Sequence, residues 1–518
     1  MTEPRPIAAP AFLSGVLPVL EVPLPRQALW LAIVLLIALA AWVSTVNFWY
    51  AYDDAFITYR FARNFASGAG LVYNPGEWHL GTTAPLYALV LGILGRLAGP
   101  DTIPFFGALF SSLSMTLGGL ALVAFGVQHR APLAGVFAGM FWVTNPMMFV
   151  TWAGEMPVQM ALILWGFVAY RAERPQIAAA ILACAALTRP DGLLAAAVVF
   201  GYDVVMRRRI LWRAWLVFAA VVAPFAIATW VVYGSPLPGT LSAKLAQRDS
   251  GYWPTYFGKG LRAWFKAFLL ASVDGPRFEF FSIDPGTLSF WVTVGVLAIA
   301  GYRFWALPLV WILLFVMIYR TMKVPFYHWY AAPALVGLSI VTGAGLAALL
   351  SLARRVIPLK RAEGFVLVTA GAALVVLAGY PYLRALPETS KEHPAIGVYV
   401  AAGRWLHDHT PPNASVGYYE IGFLGYYSDR LIVDSLGLVD PSIPPHVAKQ
   451  DLAWAFRERR PAYILEKPGV GALNSFTGEP WFAAEYRERL VFTPPGDPNN
   501  HKVVLYERRD FSARDGNR

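Results

Sequence analysis

Two adjacent acidic residues follow the first long apolar stretch of the sequence. They are Asp53 and Asp54, and apolar residues recur at helical spacing over 55–65, which predicts an amphipathic helix lying along the outer membrane surface. An acid at a helix start can simply cap free backbone N–H groups, a role worth about 1 kcal/mol. Capping needs only one carboxylate, whereas an adjacent pair close to lipid suits a general base or a divalent-cation site. The pair is therefore the first candidate for catalysis.

A second acid and one arginine stand at the ends of shorter apolar segments. Glu155 ends a predicted span on the outer side, where it either serves catalysis or merely faces water. Arg189 lies in the turn between segments 177–188 and 191–206, which at about 1.5 Å per residue are too short to cross about 30 Å of hydrocarbon. We therefore expect Arg189 within the bundle, where a charge is functional by default. The alternative is a local pair with Asp191 that only stabilises the turn.

The composition decides in which class of protein these side chains work. Of the 518 residues, 57% are hydrophobic and only 14% are charged, whereas a soluble domain has about 25% charged residues. This excludes a water-soluble enzyme and predicts a polytopic α-helical membrane protein. The net charge is +10, and the excess lies before residue 381, where 26 Lys and Arg stand against 15 Asp and Glu. Among apolar segments positive charge sets orientation and does not indicate a nucleic-acid partner. The single cysteine, Cys184, cannot form an intrachain disulfide.

Eleven apolar segments are predicted to span the membrane. They lie near 28–48, 102–125, 132–150, 156–171, 177–188, 191–206, 212–232, 288–303, 305–319, 331–350 and 364–380. The run 84–98 is left out as an interfacial or re-entrant helix, because it is short and interrupted by glycine. With a cytoplasmic N-terminus, this count places Arg207 to Arg209 and the other basic joints inside, as the positive-inside rule requires.

The predicted organisation has three parts. Residues 1–27 form a cytoplasmic segment, residues 28–380 form the membrane domain with long outer loops at 49–101 and 234–287, and residues 381–518 form a soluble extracytoplasmic α/β domain. Within the last domain the pattern predicts a helix around Ala395 to His409 and strands after Ala414, around Tyr463 to Leu465 and from Lys502 to Glu507.

A series of motifs resembles one family of membrane enzymes. The motifs are Asp53-Asp54-Ala55-Phe56-Ile57 with Arg60, the stretch 70–77, Pro85-Leu86, Leu187-Thr188-Arg189-Pro190-Asp191-Gly192, the stretch 233–238 with Ala243-Lys244-Leu245, and in the tail 421–429 with 434–440. Together they resemble the GT-C superfamily of integral membrane glycosyltransferases, and most closely its actinobacterial arabinofuranosyltransferase-like members. The resemblance runs from about residue 28 to about residue 442. One departure is Leu80, which stands before Gly81 where many relatives have a glutamate; Glu77 or His79 would have to take over any role of that glutamate.

The resemblance implies a catalytic role for the first outer loop. An acid there acts as general base on an acceptor hydroxyl while a polyprenyl phosphate leaves the sugar. This role falls to Asp53, with Asp54 as helper or as ligand, together with Asp53, of a divalent cation such as Mg²⁺, Mn²⁺ or Ca²⁺. No cofactor beyond such a cation is expected. Glu155 is a further catalytic candidate.

The resemblance also implies binding residues for the two substrates. A lipid phosphate needs cations at the outer face, so the donor-phosphate candidates are Arg189, Arg320, Lys323 and His328. The candidates for binding the acceptor or the sugar are Arg60, Glu77, His79 and Lys244.

The sequence thus predicts a multi-pass enzyme of the inner (plasma) membrane with about eleven spans, interfacial helices and a C-terminal extracytoplasmic α/β domain. It would move a sugar from a polyprenyl-phosphate donor to a hydroxyl of a cell-envelope glycan or lipid-linked acceptor, with membrane lipids but no nucleic acid as other partners. The alternative is a secondary transporter or flippase of a lipid-linked saccharide, which also needs charges at membrane depth. The sequence shows no internal repeat of the kind that transporters commonly have.

Overall fold

The computed structural model describes residues 24–144, 151–253, 256–270, 295, 306–356, 364–372, 394–494 and 501–511. The helices before residue 360 are α1 (Arg26–Asn47), α2 (Asp53–Ala66), α3 (Pro85–Ala98), α4 (Ile103–Gln128), α5 (Pro132–Thr144), α6 (Met156–Arg171), α7 (Pro175–Thr188), α8 (Leu193–Val205), α9 (Trp212–Tyr233), α10 (Thr240–Ser250), α11 (Phe257–Leu270), α12 (Ala306–Met322) and α13 (Ala332–Val356). A further helical stretch covers 364–372. The span predicted at 288–303 falls outside the described residues, apart from 295.

The helices establish an integral membrane protein. Within the described residues, 4 helical segments are long and apolar enough to cross a membrane: Arg26–Asn47, Pro100–Gln128, Trp212–Tyr233 and His328–Leu352. Shorter apolar helices cover Pro85–Ala98, Pro132–Thr144, Pro175–Thr188 and Ala306–Met322. The predicted number of eleven spans is therefore not established, and whether α3 crosses stays a prediction.

Helices α7 and α8 form the short hairpin that the sequence predicts. They contain 14 and 13 residues, which at about 1.5 Å per residue is less than a full crossing. A single 3₁₀ turn, Pro190–Gly192, joins them. A side chain at Gly192 would collide with the backbone at Ala185, so the glycine lets the hairpin close tightly. The turn is buried, and Arg189 is only 4% exposed.

The C-terminal region is a mixed α/β layer. Its elements are α14 (Pro394–His409), β1 (Ser415–Tyr418), α15 (Gly422–Ser428), β2 (Leu431–Asp434), α16 (Pro444–Ala448), α17 (Trp454–Arg459), β3 (Tyr463–Glu466), α18 (Pro480–Glu485), β4 (Tyr486–Phe492) and β5 (Val503–Arg508). The strand order is β2-β1-β3-β5-β4, with β1 parallel to β2 and β3, and β5 antiparallel to β3 and β4. The predicted helix and strands of this region are confirmed. Strand β1, which lies between two parallel neighbours, is buried over three of its 4 residues, as is typical of a parallel strand covered on both faces.

The position of α2 differs from the surface helix that the sequence predicts. Most of its 14 residues are buried, because α3 packs on one side and α15 on the other. The ring of Phe56 lies 4.3 Å from that of Phe423, measured between centroids. Arg60 and Asn64 on the polar stripe do not meet water. The loop at Val72 and Tyr73 bonds to Asn64, and this loop and the C-terminal domain both bond to Arg60. Helical periodicity identifies a polar face but not the protein layer that packs on it.

Candidate active site

The two acids at the start of α2 point to different parts of the structure. Each carboxylate oxygen of Asp53 accepts one backbone N–H at 2.8 Å, from Gly422 and from Phe423. A side chain at Gly422 would collide with the backbone of Asp53, so glycine permits this close approach. Asp54 instead lines a cavity, and among the described residues its carboxylate accepts no hydrogen bond. Of the two acids, Asp54 is therefore the one whose carboxylate lone pairs are not used by a described residue.

The cavity beside Asp54, here called the central cavity, collects charges from four separate segments. Its lining includes Asp54 from α2, Glu155 before α6, Arg189 from the α7–α8 turn and Lys244 from α10. The cavity is small, about 50 Å³, so these charged groups lie close to one another. Two acids and two cations in a water-poor space interact strongly, because a low local dielectric screens them little. Such a convergence in a cleft is typical of a functional site.

Arg189 is held by two carboxylates. Its guanidinium donates to Glu155 at 2.5 Å and to Asp191 at 3.2 Å, and all three side chains are buried. Asp191 also accepts the hydroxyl of Tyr319 at 2.8 Å and the amide of Gln159 at 2.5 Å. The predicted local pair with Asp191 therefore exists, and Glu155 extends it to the cavity wall. Glu155 does not face water, because it is 5% exposed.

Lys244 has a larger part in the site than the sequence suggested. Its Nζ atom lies 3.7 Å from the ring centroid of Tyr327. Burial alone would lower the pKa of Lys244, but Tyr327 and the Asp54 carboxylate raise it above the usual value, so the side chain stays charged. Thr240, Lys244 and Gln247 fall on one face of α10 at spacings of four and three residues. Lys244 was predicted from its place in a family motif, and this helical spacing adds Gln247, which the sequence analysis missed.

Two larger cavities flank the central cavity. The first, here called the lipid-side groove, has a volume of about 310 Å³ and apolar walls from Leu193, Leu241 and Ile318. The second, here called the domain-side cavity, has a volume of about 320 Å³ and lies against the C-terminal domain. Lys244 lines all three spaces, and Asp54 lines the central and the domain-side cavities. The charged centre thus stands between an apolar groove and a second pocket.

Burial shifts the pKa of both acids of the pair. Burial raises the pKa of Asp53 to about 8, with the neighbouring Glu420 acting in the same direction and the two backbone N–H groups against it. Burial also raises the pKa of Asp54, and Lys244 opposes that change. A carboxyl whose pKa is raised toward neutral pH is better suited to accept a proton than an ordinary surface acid.

Comparison with solved structures identifies the fold. The structure is similar to that of ArnT from Cupriavidus metallidurans in the apo state, with a TM-score of 0.56 and 15% sequence identity over 92% of this chain and 97% of that chain. The chain has the GT-C fold. A second GT-C structure with similarity is the archaeal oligosaccharyltransferase AglB from Archaeoglobus fulgidus in complex with an inhibitory peptide and a dolichol-phosphate, with a TM-score of 0.54, 12% identity, and coverage of 93% of this chain and 74% of that chain.

Two sequence comparisons cover shorter stretches. Residues 389–506 match a family model described as a domain of unknown function, DUF8728. A stretch of 101 residues is 32% identical to the terminal beta-(1->2)-arabinofuranosyltransferase of Mycobacterium tuberculosis. That stretch is 20% of this chain and 16% of the relative, so this chain matches a small part of the relative's length.

Several residues that the sequence assigned to substrate binding lie elsewhere in this GT-C fold. Arg60 is 3% exposed, and its guanidinium donates to backbone carbonyls of Tyr73, Gly425 and Arg430. It therefore ties α2 to the C-terminal domain, and its assignment to sugar binding stays a prediction. Motif position alone could not distinguish the two roles.

Two further acceptor candidates lie away from the cavities. Glu77 is exposed and accepts a hydrogen bond from Asn74 at 2.9 Å. His79 packs against Gly239, where a side chain would collide with the imidazole ring, and burial lowers the pKa of His79. Neither residue lines the three cavities, because their loop packs against the segment that precedes α10.

The structure places the other donor-phosphate candidates in two different environments. Arg320 and Lys323 are exposed and line none of the three cavities. His328 lines the domain-side cavity, and its ring meets that of Tyr52 edge-on, 6.1 Å away between centroids. The chain turns between α12 and α13, so neighbours in sequence face different directions.

The acid pair does not fit a resident divalent cation. Such a cation takes several oxygen ligands, usually including more than one carboxylate. Within the described residues no group of three His, Cys, Asp or Glu side chains is arranged to hold a metal. Asp53 already accepts two backbone N–H groups and Glu155 is paired with Arg189. Of these three acids, Asp54 alone offers a carboxylate that the described residues leave unbonded.

Proposed function

We propose that this GT-C protein moves a sugar from a polyprenyl-phosphate donor to a hydroxyl of a cell-envelope glycan or lipid-linked acceptor at the outer face of the membrane. The observation that carries the proposal is the position of Asp54 and Lys244. They bring a base and a cation to one small cavity between an apolar groove and a second pocket. The dolichol-phosphate bound by AglB and the activity named for the mycobacterial relative support the proposal.

The proposed chemistry needs one proton acceptor. The oxygen of the acceptor hydroxyl forms a bond to the anomeric carbon of the donor sugar. As this bond forms, Asp54 removes the proton of that hydroxyl. The bond from that carbon to the phosphate oxygen breaks, and polyprenyl phosphate leaves with the electron pair. A general base that is correctly placed contributes about 10²–10⁴-fold to such a rate.

The choice of Asp54 differs from the assignment of Asp53 that motif order implies. Both oxygens of Asp53 are occupied by N–H groups of Gly422 and Phe423, which supports an anchoring role for this residue. Asp54 has the open carboxylate and lies in the cavity with Lys244. The assignment of Asp53 as base remains the alternative that mutagenesis must decide.

The donor phosphate needs a cation that is not neutralised by fixed partners. Arg189 is paired with Glu155 and Asp191, so we assign to it the shaping of the cavity wall. Lys244 lines the lipid-side groove as well as the central cavity, which supports direct contact with the phosphate while the polyprenyl chain lies in the apolar groove.

The proposal includes a topology. We place the N-terminus in the cytoplasm and the C-terminal domain outside the inner membrane, because the basic joints at 130 and 207–209 then face the cytoplasm. In a Cys184→Ala background, a single cysteine at position 450 should react with an impermeant reagent added outside, and one at position 208 should not. Labelling at 208 from outside would overturn this topology.

The decisive experiment uses purified full-length protein in nanodiscs. Pentose and hexose donors linked to polyprenyl phosphate are supplied one at a time, and release of free polyprenyl phosphate is measured with and without saccharide acceptors. We expect release from at least one donor, and Asp54→Asn should remove it. If no donor is cleaved, and one of them instead crosses the bilayer of sealed proteoliposomes unchanged, the protein is a flippase and the proposal is wrong.

A further inference from the structure

Helix α9 lies at the edge of the helix bundle and lines none of the three cavities. It has 22 residues, which at about 1.5 Å per residue is enough to cross about 30 Å of hydrocarbon. A crossing helix of this length places its two ends, Trp212 and Tyr233, at opposite faces of the membrane. Only Ala214 and Thr229 of this helix are buried, so most of its length is open to lipid.

The loop before α9, residues 206–211, is tied to two acids. The Nε atom of Arg209 donates to Asp203 of α8 at 2.7 Å. Arg207 forms an ion pair with Glu173, in the turn between α6 and α7, at 3.5 Å. Asp203 is 1% exposed, so the loop is held against the end of α8. Two of the arginines in this loop therefore have fixed partners within the protein.

Three further arginines at this end of α9 have no acid to pair with. Arg174, Arg208 and Arg213 are exposed, and none of them forms an ion pair with a described residue. They are here called the arginine patch. The segments 171–175 and 203–213, from which the patch comes, contain six arginines and two acids, and both acids are already in ion pairs. The patch therefore has a positive charge that the described residues do not neutralise.

Apolar side chains stand between these cations along the chain. Met206, Ile210 and Trp212 are 61%, 69% and 58% exposed. Exposed apolar residues and a tryptophan next to arginines are typical of a segment at the boundary between hydrocarbon and lipid headgroups. A free anion would contact only the cations and leave the apolar side chains in water, whereas a phospholipid contacts both. The pattern therefore favours a lipid over a soluble ligand.

We propose that the arginine patch binds anionic phospholipids, with the lipid phosphate at the arginines and the acyl chains along α9. Arginine suits this role because its planar guanidinium forms paired hydrogen bonds to phosphate oxygens. Anionic lipids of the cytoplasmic leaflet attract basic segments at its surface, which agrees with the topology proposed above. The proposal goes beyond the proposed function, because no residue of the arginine patch lines the cavities around Asp54.

The test uses a fluorescent label on α9 of the full-length protein in nanodiscs. In a Cys184→Ala background, the first label is attached to Leu216→Cys, one helical turn from Arg213. The control label is attached to Val231→Cys near the other end of the helix, and both positions are exposed. The bilayer is phosphatidylcholine with a fixed fraction of lipid brominated on its acyl chains, either phosphatidylglycerol or phosphatidylcholine. Bromine quenches a nearby label, so quenching measures which lipid lies next to each position.

We expect phosphatidylglycerol to be preferred at the first label, with an association constant at least about fivefold that of phosphatidylcholine, the effect of one basic residue near an anionic surface. At the control label the two lipids should differ less than about twofold. The triple variant with Arg174→Gln, Arg208→Gln and Arg213→Gln should lose the preference at the first label. Arg96→Gln is the matched control, because Arg96 is an exposed arginine at the end of α3 that forms no ion pair with a described residue. This control should keep the preference.

Equal quenching by the two lipids at the first label contradicts the proposal, and so does a preference that the triple variant keeps. A preference of the same size at the control label contradicts it as well, since the net charge of the protein, and not the patch, would then attract the lipid. If excess glycerol phosphate abolishes the preference, the patch takes a free anion and the assignment to lipid is wrong.

A variant that does not fold still leaves the proposal testable. Should the triple variant not fold, Arg208→Gln decides alone, because the Arg208 side chain has no described partner to lose. It should lower the preference at the first label at least about twofold, and an unchanged preference contradicts the proposal. No sugar donor is present in these experiments. A failed transfer assay therefore leaves this proposal standing, and its own failure leaves the proposed function standing.

Discussion

On the side of α2 that meets the C-terminal domain, Asp53 and Arg60 are bonded to backbone groups of residues 422, 423, 425 and 430. On the side that meets the central cavity, Asp54 and Lys244 face each other across space that a substrate can enter. Both sides present a half-buried acid and a cation, which is buried in the case of Arg60 and half-buried in the case of Lys244. The difference lies in their partners, since backbone groups satisfy the first pair and leave it little capacity for a ligand. Chemistry is therefore expected on the second side.

The largest effect is expected from the acid pair. Asp54→Asn should lower kcat by about 10²–10⁴-fold with KM for the donor little changed, because the variant lacks a base at the chemical step. Asp53→Asn should keep more than about a tenth of the wild-type rate, since it loses one bond to the C-terminal domain and no base. Initial rates of polyprenyl phosphate release measure both. The reverse ranking would show that Asp53 is the base, as motif order implies.

The pH profile sharpens the same comparison. Because burial raises the pKa of Asp54, kcat/KM should fall on the acid side with an inflection above the ordinary carboxyl value of about 3.9. Protonated Asp54 cannot accept a proton, so the rate decreases as the pH decreases through its pKa. The Asp53→Asn variant should show the same decrease of kcat/KM on the acid side. If this decrease is absent in Asp53→Asn, Asp53 is the titrating base.

Removal of Arg60 should affect stability more than binding. Arg60→Met leaves the carbonyls of Gly425 and Arg430 without their donor, whereas that of Tyr73 keeps the amide of Asn64, and a loss of about 3 kcal/mol is expected from such buried groups. Thermal unfolding in detergent should show a clear decrease in Tm, while affinity for polyprenyl phosphate in the folded protein stays the same. Arg63→Met is the matched control with a smaller effect, because Arg63 donates to one carbonyl, that of Tyr426. A loss of affinity for polyprenyl phosphate in the folded Arg60→Met protein would show that Arg60 is a substrate-binding residue.

Removal of Lys244 should give the opposite pattern. Lys244→Met should weaken binding of polyprenyl phosphate by about 1.5–3 kcal/mol, the range for a hydrogen bond to a charged group, with little change in Tm. Lys259→Met is the matched control, because Lys259 also lies over a tyrosine ring, 5.2 Å from the centroid of Tyr256, but is exposed. Affinities from binding titrations in nanodiscs decide the point. If Arg189→Ala weakens the binding of polyprenyl phosphate and Lys244→Met does not, and if the Arg189→Ala protein is folded, Arg189 is the residue that contacts the phosphate.

The smallest effect is expected from metal removal. Of Asp53, Asp54 and Glu155, Asp54 alone has a carboxylate that the described residues leave open to a cation. A divalent ion usually takes more ligands than this from a protein. Dialysis against EDTA should therefore change the transfer rate less than about twofold. A rate that disappears with EDTA and returns with Mg²⁺, Mn²⁺ or Ca²⁺ would restore Asp53 and Asp54 as metal ligands.

The sequence by itself determined the features that depend on local pattern. Low charge and long apolar runs predicted a membrane protein, and alternation in the tail predicted α14, β1, β3 and β5. The short segments around Arg189 predicted its burial, because helix rise fixes how far a segment can reach. The order of motifs indicated the GT-C fold. The first three of these rest on composition or on spacing within one segment, which a sequence displays directly, and the GT-C fold rested on the resemblance of the motifs to a known family.

Tertiary structure alone decided which side chain meets which cavity. Asp53 and Asp54 are neighbours in sequence, yet helix geometry turns adjacent residues by about 100°, so one meets Gly422 and the other meets Lys244. Arg60 belongs to a family motif, but two of its three carbonyl partners, those of Gly425 and Arg430, lie more than 300 residues later in the chain. Gln247 and Glu420 share a cavity only because the C-terminal domain packs on α2 and α10. No local pattern contains such contacts, because they form between segments whose separation in sequence sets no distance in space.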